Sequence, residues 1–182
     1  MNNYSDLSWD ELKTMFAETD KKWQEAAAKS KEVDERLDRL GRYIGGISHA
    51  NGEMAEDYFY SAFRADKIFA NEKFDKVERN LAFKRDDKKA EFDLVLFNGK
   101  SVALIEVKYN AKPDNISIEK IISRVEIFKM LFPEYKNYNI YLGVAAMSFK
   151  SGLETELHNS GIATIKQVGE KMVVCDKDIK VF

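Results

Sequence analysis

The chain has little of what builds a disulfide or zinc scaffold: one cysteine, Cys175, and two histidines in 182 residues. One thiol cannot close an internal disulfide, and one thiol with two imidazoles cannot complete a four-ligand structural zinc site. A reducing cytoplasm is therefore the expected setting. Proline is scarce as well. None precedes Pro113, and no glycine precedes Gly41, so the first forty residues carry neither strong helix breaker. No apolar run approaches the ~20 residues needed to span a bilayer. The opening stretch Met1-Asn2-Asn3-Tyr4-Ser5-Asp6 has no basic segment followed by an apolar one, so no secretory signal is expected. Charge of one sign is lacking too. A net charge of −2 works against a basic scaffold that coats nucleic acid by neutralising phosphates. It leaves room for an enzyme that touches nucleic acid locally, all the more because a bound metal would add positive charge.

What is present is 45% hydrophobic and 33% charged residues, which suits a globular protein with a charge-rich helical part. Ser8 and Glu11 have capping-box spacing, and a helix is expected to start there. Phe16, Trp23, Ala26, Ser30, Val33, Leu37, Leu40, Ile44 and Ile47 then recur at heptad steps, with Thr19 and Ser30 diluting the seam. Two readings stay open: an amphipathic helix packed on its own domain, or a coiled coil pairing two copies into a homodimer. Gly41, Gly45, Gly46 and Gly52 suggest a joint, which divides the chain into a helical extension, 1–47, and a second domain, 48–182. A second helix is expected over Glu53–Phe69, burying Met54, Tyr58, Phe59, Ala62 and Phe63.

Beyond Asn71 the pattern turns to strands. Lys76–Arg85 and Ala90–Phe97 are expected as strands joined by the polar turn Asp86-Asp87-Lys88-Lys89. Period-two alternation puts Phe92, Leu94 and Leu96 on one face and Glu91, Asp93, Val95 and Phe97 on the other. Asn98-Gly99 reads as a tight hairpin turn, and Ser101–Tyr109 as an apolar return strand. A helix over Ile116–Phe132, a buried strand over Tyr138–Met147, a helix over Phe149–Asn159 and a hairpin of Ile162–Val168 with Lys171–Cys175 follow. This order predicts an α/β or α+β fold: a mixed sheet flanked by helices.

One stretch carries chemistry. The apolar run Val102-Ala103-Leu104-Ile105 leads into Glu106-Val107-Lys108, whose two charges share a strand face, and Asp93 lies on the preceding strand. Charges in a central strand cost several kcal/mol unless they are paired or bind a metal. A plain Glu–Lys surface pair at the strand end is the simpler alternative, worth at most about 1 kcal/mol. Asp93, Glu106 and the backbone carbonyl of Val107 offer hard oxygen ligands for Mg²⁺, with Mn²⁺ able to substitute. Such a metal polarises a phosphoryl oxygen and acidifies a bound water, and Lys108 can offset developing charge. Together these groups suit phosphodiester hydrolysis.

Phe92-Asp93 followed by Glu106-Val107-Lys108 resembles the PD-(D/E)xK nuclease superfamily, which includes restriction endonucleases and Holliday-junction resolvases. Phe92 stands where that pattern usually has proline. The resemblance covers about residues 53–147 and implies a restriction endonuclease-like αβββαβ core with Mg²⁺-dependent nuclease activity; it does not imply which nucleic acid is cut, and DNA is expected. It also implies an acidic residue on the helix before the first strand, for which Glu56 is the candidate and Glu53 the runner-up. A polar residue on the helix after the lysine strand, Lys120 or Arg124, would contact substrate. Asp93, Glu106, Lys108 and Glu56 are thus expected to converge in one cleft. Glu91 reads as a surface charge or a second ligand, and His49 and His158 as non-catalytic. The rival reading is a coiled-coil adaptor or nucleic-acid-binding protein whose nuclease-like fold performs no catalysis.

Overall fold

A computed structural model describes residues 8–85 and 88–182, so the opening residues 1–7 and Asp86-Asp87 of the expected turn lie outside the described residues, while Lys88 and Lys89, expected in that turn, belong to a strand. The architecture is α+β: a long N-terminal helix, a six-stranded mixed sheet and further helices. The first helix, α1, runs unbroken from Trp9 to Ala65. Its start carries the reciprocal capping box: Glu11 N–H donates to Ser8 Oγ (3.3 Å) and Ser8 N–H to Glu11 Oε2 (2.8 Å).

The helix break expected at Gly41–Gly52 does not occur. A glycine inside a helix costs only ~1 kcal/mol, and with no proline present every i→i−4 bond can still form. The division between two compact units nevertheless falls between Ser48 and His49, inside the helical span. In the first unit the seam side chains are exposed, Phe16 at 70% and Trp23 at 71%. In the second unit Ala55, Phe59 and Phe63 are fully buried, whereas Met54, expected in that stripe, is exposed.

After α1 comes a small ribbon that period arguments missed, β1 (Ile68–Phe69) with β2 (Glu72–Lys73), its turn formed by Ala70 and Asn71 at positive φ. The main sheet holds β3 (Lys76–Arg85), β4 (Lys88–Phe97), β5 (Ser101–Ala111), β6 (Asn139–Phe149), β7 (Ala163–Val168) and β8 (Lys171–Cys175), in that spatial order. β3, β4 and β5 are antiparallel neighbours, β5, β6 and β7 are parallel, and β8 returns antiparallel on β7. The parallel crossover from β5 to β6 carries α2 (Ile118–Leu131), capped by Ser117 Oγ accepting from Lys120 N–H at 3.3 Å, and a 3-10 turn, Pro133–Tyr135. β6 connects to β7 through α3 (Leu153–Asn159), shorter than the helix expected from Phe149 because β6 runs on to Phe149 and Gly152 takes a left-handed φ of 90°.

Two apolar layers cover the sheet. On one side Phe92, Val102, Leu104 and Val144 pack with Ile121, Val125 and Phe128 of α2. On the other, Leu94, Leu96, Ala103, Ile105 and Ile165 pack with Ala55, Phe59 and Phe63 of α1. Each fully buried Phe or Leu contributes roughly 1.5–3 kcal/mol. β5 is buried from Ser101 to Ile105, as a strand covered on both faces should be.

The alternation expected for β4 fails at one place. Phe92 shares the α2 layer with Val95, while Leu94 and Leu96 face the other layer. The β3–β4 ladder pairs Arg79 with Leu94 and Leu81 with Phe92 but skips Asn80 opposite Asp93, and Asn80 sits at φ 50°. That irregularity turns the strand at Asp93 and exchanges its faces.

The β4–β5 turn also differs from the expected tight Asn-Gly form. Gly99 is not among the residues with positive φ, which a type I′ turn would require. Instead Asn98 Oδ1 accepts from Lys100 N–H (2.9 Å) and Ser101 N–H (2.7 Å), while its Nδ2 donates to Glu72 Oε2 at 3.0 Å. No helix among the described residues is long and apolar enough to cross a membrane.

Candidate functional site

The parity of β5 places Glu106 and Lys108 on the face of Val102 and Leu104, toward α2. The regular β4–β5 pairing ends at Leu94↔Ile105. One step further, where Asp93 would oppose Glu106, the ladder gives way to a side chain: Val107 N–H donates to Asp93 Oδ2 at 2.7 Å. The N–H and carbonyl of a strand residue point to the same neighbour, so the Val107 carbonyl also turns toward this gap rather than toward β6. There it accepts from Lys108 Nζ at 3.1 Å. Lys108 Nζ also lies 2.6 Å from Glu106 Oε1.

The second oxygen of Glu106 is held differently. Oε2 is buried and accepts no hydrogen bond from the described residues, and Arg124 Nη1 stands 3.5 Å away as an ion-pair neighbour. Arg124 is fixed on two further sides. Its guanidinium stacks 4.8 Å from the Phe92 ring centroid, and its Nη2 donates to the backbone carbonyl of Glu91. The position of Phe92 after the face exchange is what gives Arg124 this platform. Nothing in the sequence pattern signalled that role, since strict alternation turns Phe92 away from α2.

Burial and the nearby Glu106 carboxylate push the Asp93 carboxyl up to about 6, against the downward pull of the Val107 N–H, Lys108 and Arg124. The acid pair is thus largely withdrawn from water, with Lys108 and Arg124 as its neighbouring cations. The donor set fits a hard divalent cation: two carboxylates, one of them with an oxygen that takes no hydrogen bond, and a carbonyl released from the ladder. Alongside runs a groove of about 320 Å³ with Glu106 in its wall and Asn115, Ser117, Lys120, Ser123 and Arg124 from the crossover and α2.

The structure thus brings together Asp93, Glu106, Val107, Lys108 and Arg124, with Lys120 along the groove. It does not bring Glu56 to them. Glu56 lies on the turn of α1 whose neighbours Ala55 and Phe59 pack on the opposite face of the sheet. Among the described residues no group of three or more His, Cys, Asp or Glu side chains gathers as a metal cage. The expected four-residue convergence is therefore corrected to a two-carboxylate pocket, because the layer that buries α1 is not the layer that holds Glu106. The runner-up Glu53 is exposed beside His49 Nε2, at 3.4 Å. Glu91 is exposed and contributes only its carbonyl. His158 bonds Thr164 Oγ1 at 3.0 Å, remote from this pocket in sequence and strand.

Comparison with known proteins adds a family and two distant folds. The sequence profile described as "Domain of unknown function (DUF4143)" matches residues 51–158. No curated protein matches the chain. Among solved structures, Can2 from Sulfobacillus thermosulfidooxidans, determined in complex with cyclic tetra-adenylate, is similar at 19% identity and a TM-score of 0.44, over 62% of this chain and 31% of that one. The protein of unknown function AF1548 is similar at 12% identity and a TM-score of 0.37, over 60% of this chain and 58% of that one.

Proposed function

The chain belongs to the DUF4143 family, a domain of unknown function, and within it we propose that this protein is a divalent-metal-dependent nuclease of the PD-(D/E)xK type, acting on DNA. The observation that carries the reading is the release of the β4–β5 ladder at Asp93, which collects Asp93, Glu106, the Val107 carbonyl and Lys108 at one gap. Asp93, Glu106 and the Val107 carbonyl would hold Mg²⁺, with Mn²⁺ as a substitute. When bound, such an ion polarises a phosphoryl oxygen and supplies a nucleophilic water at neutral pH.

The chain's own groups do the rest. Lys108, held between Glu106 Oε1 and the Val107 carbonyl, is positioned to offset negative charge that grows on the phosphate during attack. Asp93 is fixed by the Val107 N–H, so its free oxygen keeps one orientation. Lys120 and Arg124 in the groove wall present cations along which a phosphate backbone can lie. Burial beneath α2 lowers the local dielectric and strengthens each of these charge interactions.

A second reading has one observation in its favour. Lys108 and Arg124 already flank both oxygens of Glu106, and among the described residues no third carboxylate joins the pocket, which suits a domain that binds nucleic acid or serves as an adaptor without cutting. Calorimetric titration with Mg²⁺ and Mn²⁺ separates the two. The nuclease reading expects saturable binding by the native chain and its loss in Asp93→Ala. Absence of binding by the native chain would remove the metal-dependent reading.

A further inference from the structure

The exposed seam of α1 has a charge pattern that selects a partner and an orientation. Seam positions one set of seven apart are Phe16, Trp23, Ser30, Leu37 and Ile44; the second set, three residues on, is Thr19, Ala26, Val33, Leu40 and Ile47. These are the a and d positions of a heptad sustained over five repeats inside one continuous helix. Their apolar members stand open, from 53% exposed at Val33 to 71% at Trp23. An exposed apolar stripe of this length on a solitary helix is unfavourable, and burying it is what stabilises such a helix.

The flanking columns differ in sign. The g column reads Met15, Lys22, Lys29, Arg36 and Tyr43, and the e column reads Asp20, Ala27, Asp34, Gly41 and Ser48. In an antiparallel pair g faces g and e faces e, which sets Lys and Arg against Lys and Arg and Asp against Asp. In a parallel pair g faces the e position five residues on in the partner. Lys29 then meets Asp34 of the second copy, twice by symmetry, and no like-charged pair arises. We propose that the stretch Phe16–Ile47 pairs with a second copy of this chain as a parallel, in-register two-stranded coiled coil. In that register the polar Ser30 at an a position meets its own copy rather than an apolar side chain. The pairing itself does not depend on the nuclease reading, and a dimer without cleavage would leave it intact.

The test uses the full chain at micromolar concentration. Light scattering should give twice the 21.0 kDa chain mass. In a Cys175→Ser background, Thr19→Cys should form an intermolecular disulfide on mild oxidation, because parallel register sets position 19 against itself. In an antiparallel pair Thr19 would lie against the far half of the partner's seam. Lys29→Glu should raise the dimer dissociation constant by about tenfold, and adding Asp34→Lys should restore it. A monomer at this concentration would overturn the pairing. A dimer that gives no Thr19→Cys cross-link, or one that ignores the charge swap, would overturn the orientation.

Discussion

Replacing Asp93 by asparagine should stabilise the metal-free protein, and only above a defined pH. The carboxyl is raised from 3.8 to about 6 by burial and by Glu106. A folded-state value above the unfolded one means that the native state binds more protons between those limits. Stability linked to this group is therefore complete below pH 4, falls as pH rises through 6, and stays lost at pH 7–8. A shift of about two units corresponds to ~3 kcal/mol. Asparagine keeps an oxygen for the Val107 N–H that Asp93 Oδ2 now accepts, and it never ionises. Urea unfolding in chelator-treated buffer from pH 4 to 8 should show variant and native proteins nearly equal at pH 4, with the variant ahead by ~3 kcal/mol at pH 7.5. Titrating groups that do not interact with Asp93 cancel in the difference. Millimolar Mg²⁺ should then stabilise the native protein at pH 7.5 and leave Asp93→Asn unchanged, reversing much of the gap. A difference that is flat across this range, or that favours the native protein at high pH without metal, would refute the electrostatic account of the pocket.

Other perturbations follow from the same contacts. Lys108→Ala should abolish cleavage while circular dichroism stays native, because the ammonium's partners are the site groups Glu106 and Val107 rather than the core; unchanged cleavage would remove the lysine from the chemistry. Gly161→Ala should cost roughly 1–2 kcal/mol of stability, since Gly161 closes α3 at φ 81° with the two Schellman bonds and its added Cβ would meet the Lys180 side chain. Phe59→Ala should cost ~3–5 kcal/mol in urea unfolding, because the ring is fully buried under the sheet. Asn98→Ala should cost about 1–2 kcal/mol, since it removes the acceptor of Lys100 and Ser101 N–H and a donor to Glu72.

The sequence and structure agree where one strong local rule operates. Lys76–Arg85 and Lys171–Cys175 match strand bounds read from the pattern, and Glu106 and Lys108 share a face because a buried central strand cannot slip by one residue. The three residues of the β5 motif were legible for that reason. Disagreement arises where two rules compete. Four glycines suggested a break in α1, but glycine only weakens a helix whereas proline interrupts it. The face exchange at Asp93 depends on Asn80 of the neighbouring strand, and a period-two count within one strand cannot register it. The Arg124–Phe92 stack follows from that exchange and was hidden with it. Glu56 was placed by resemblance alone, and the layer in which its helix packs decides otherwise.

The central claim is tested most directly by incubating the full chain with labelled single- and double-stranded DNA and RNA in Mg²⁺ or Mn²⁺, beside Glu106→Gln. Glu106→Gln keeps the size of the side chain but removes the charge that would hold the metal. The account expects metal-dependent cleavage of DNA by the native chain, abolished by chelator and lost in Glu106→Gln. Cleavage that persists in Glu106→Gln, or a native chain that binds the metal and cuts none of these substrates, would contradict it.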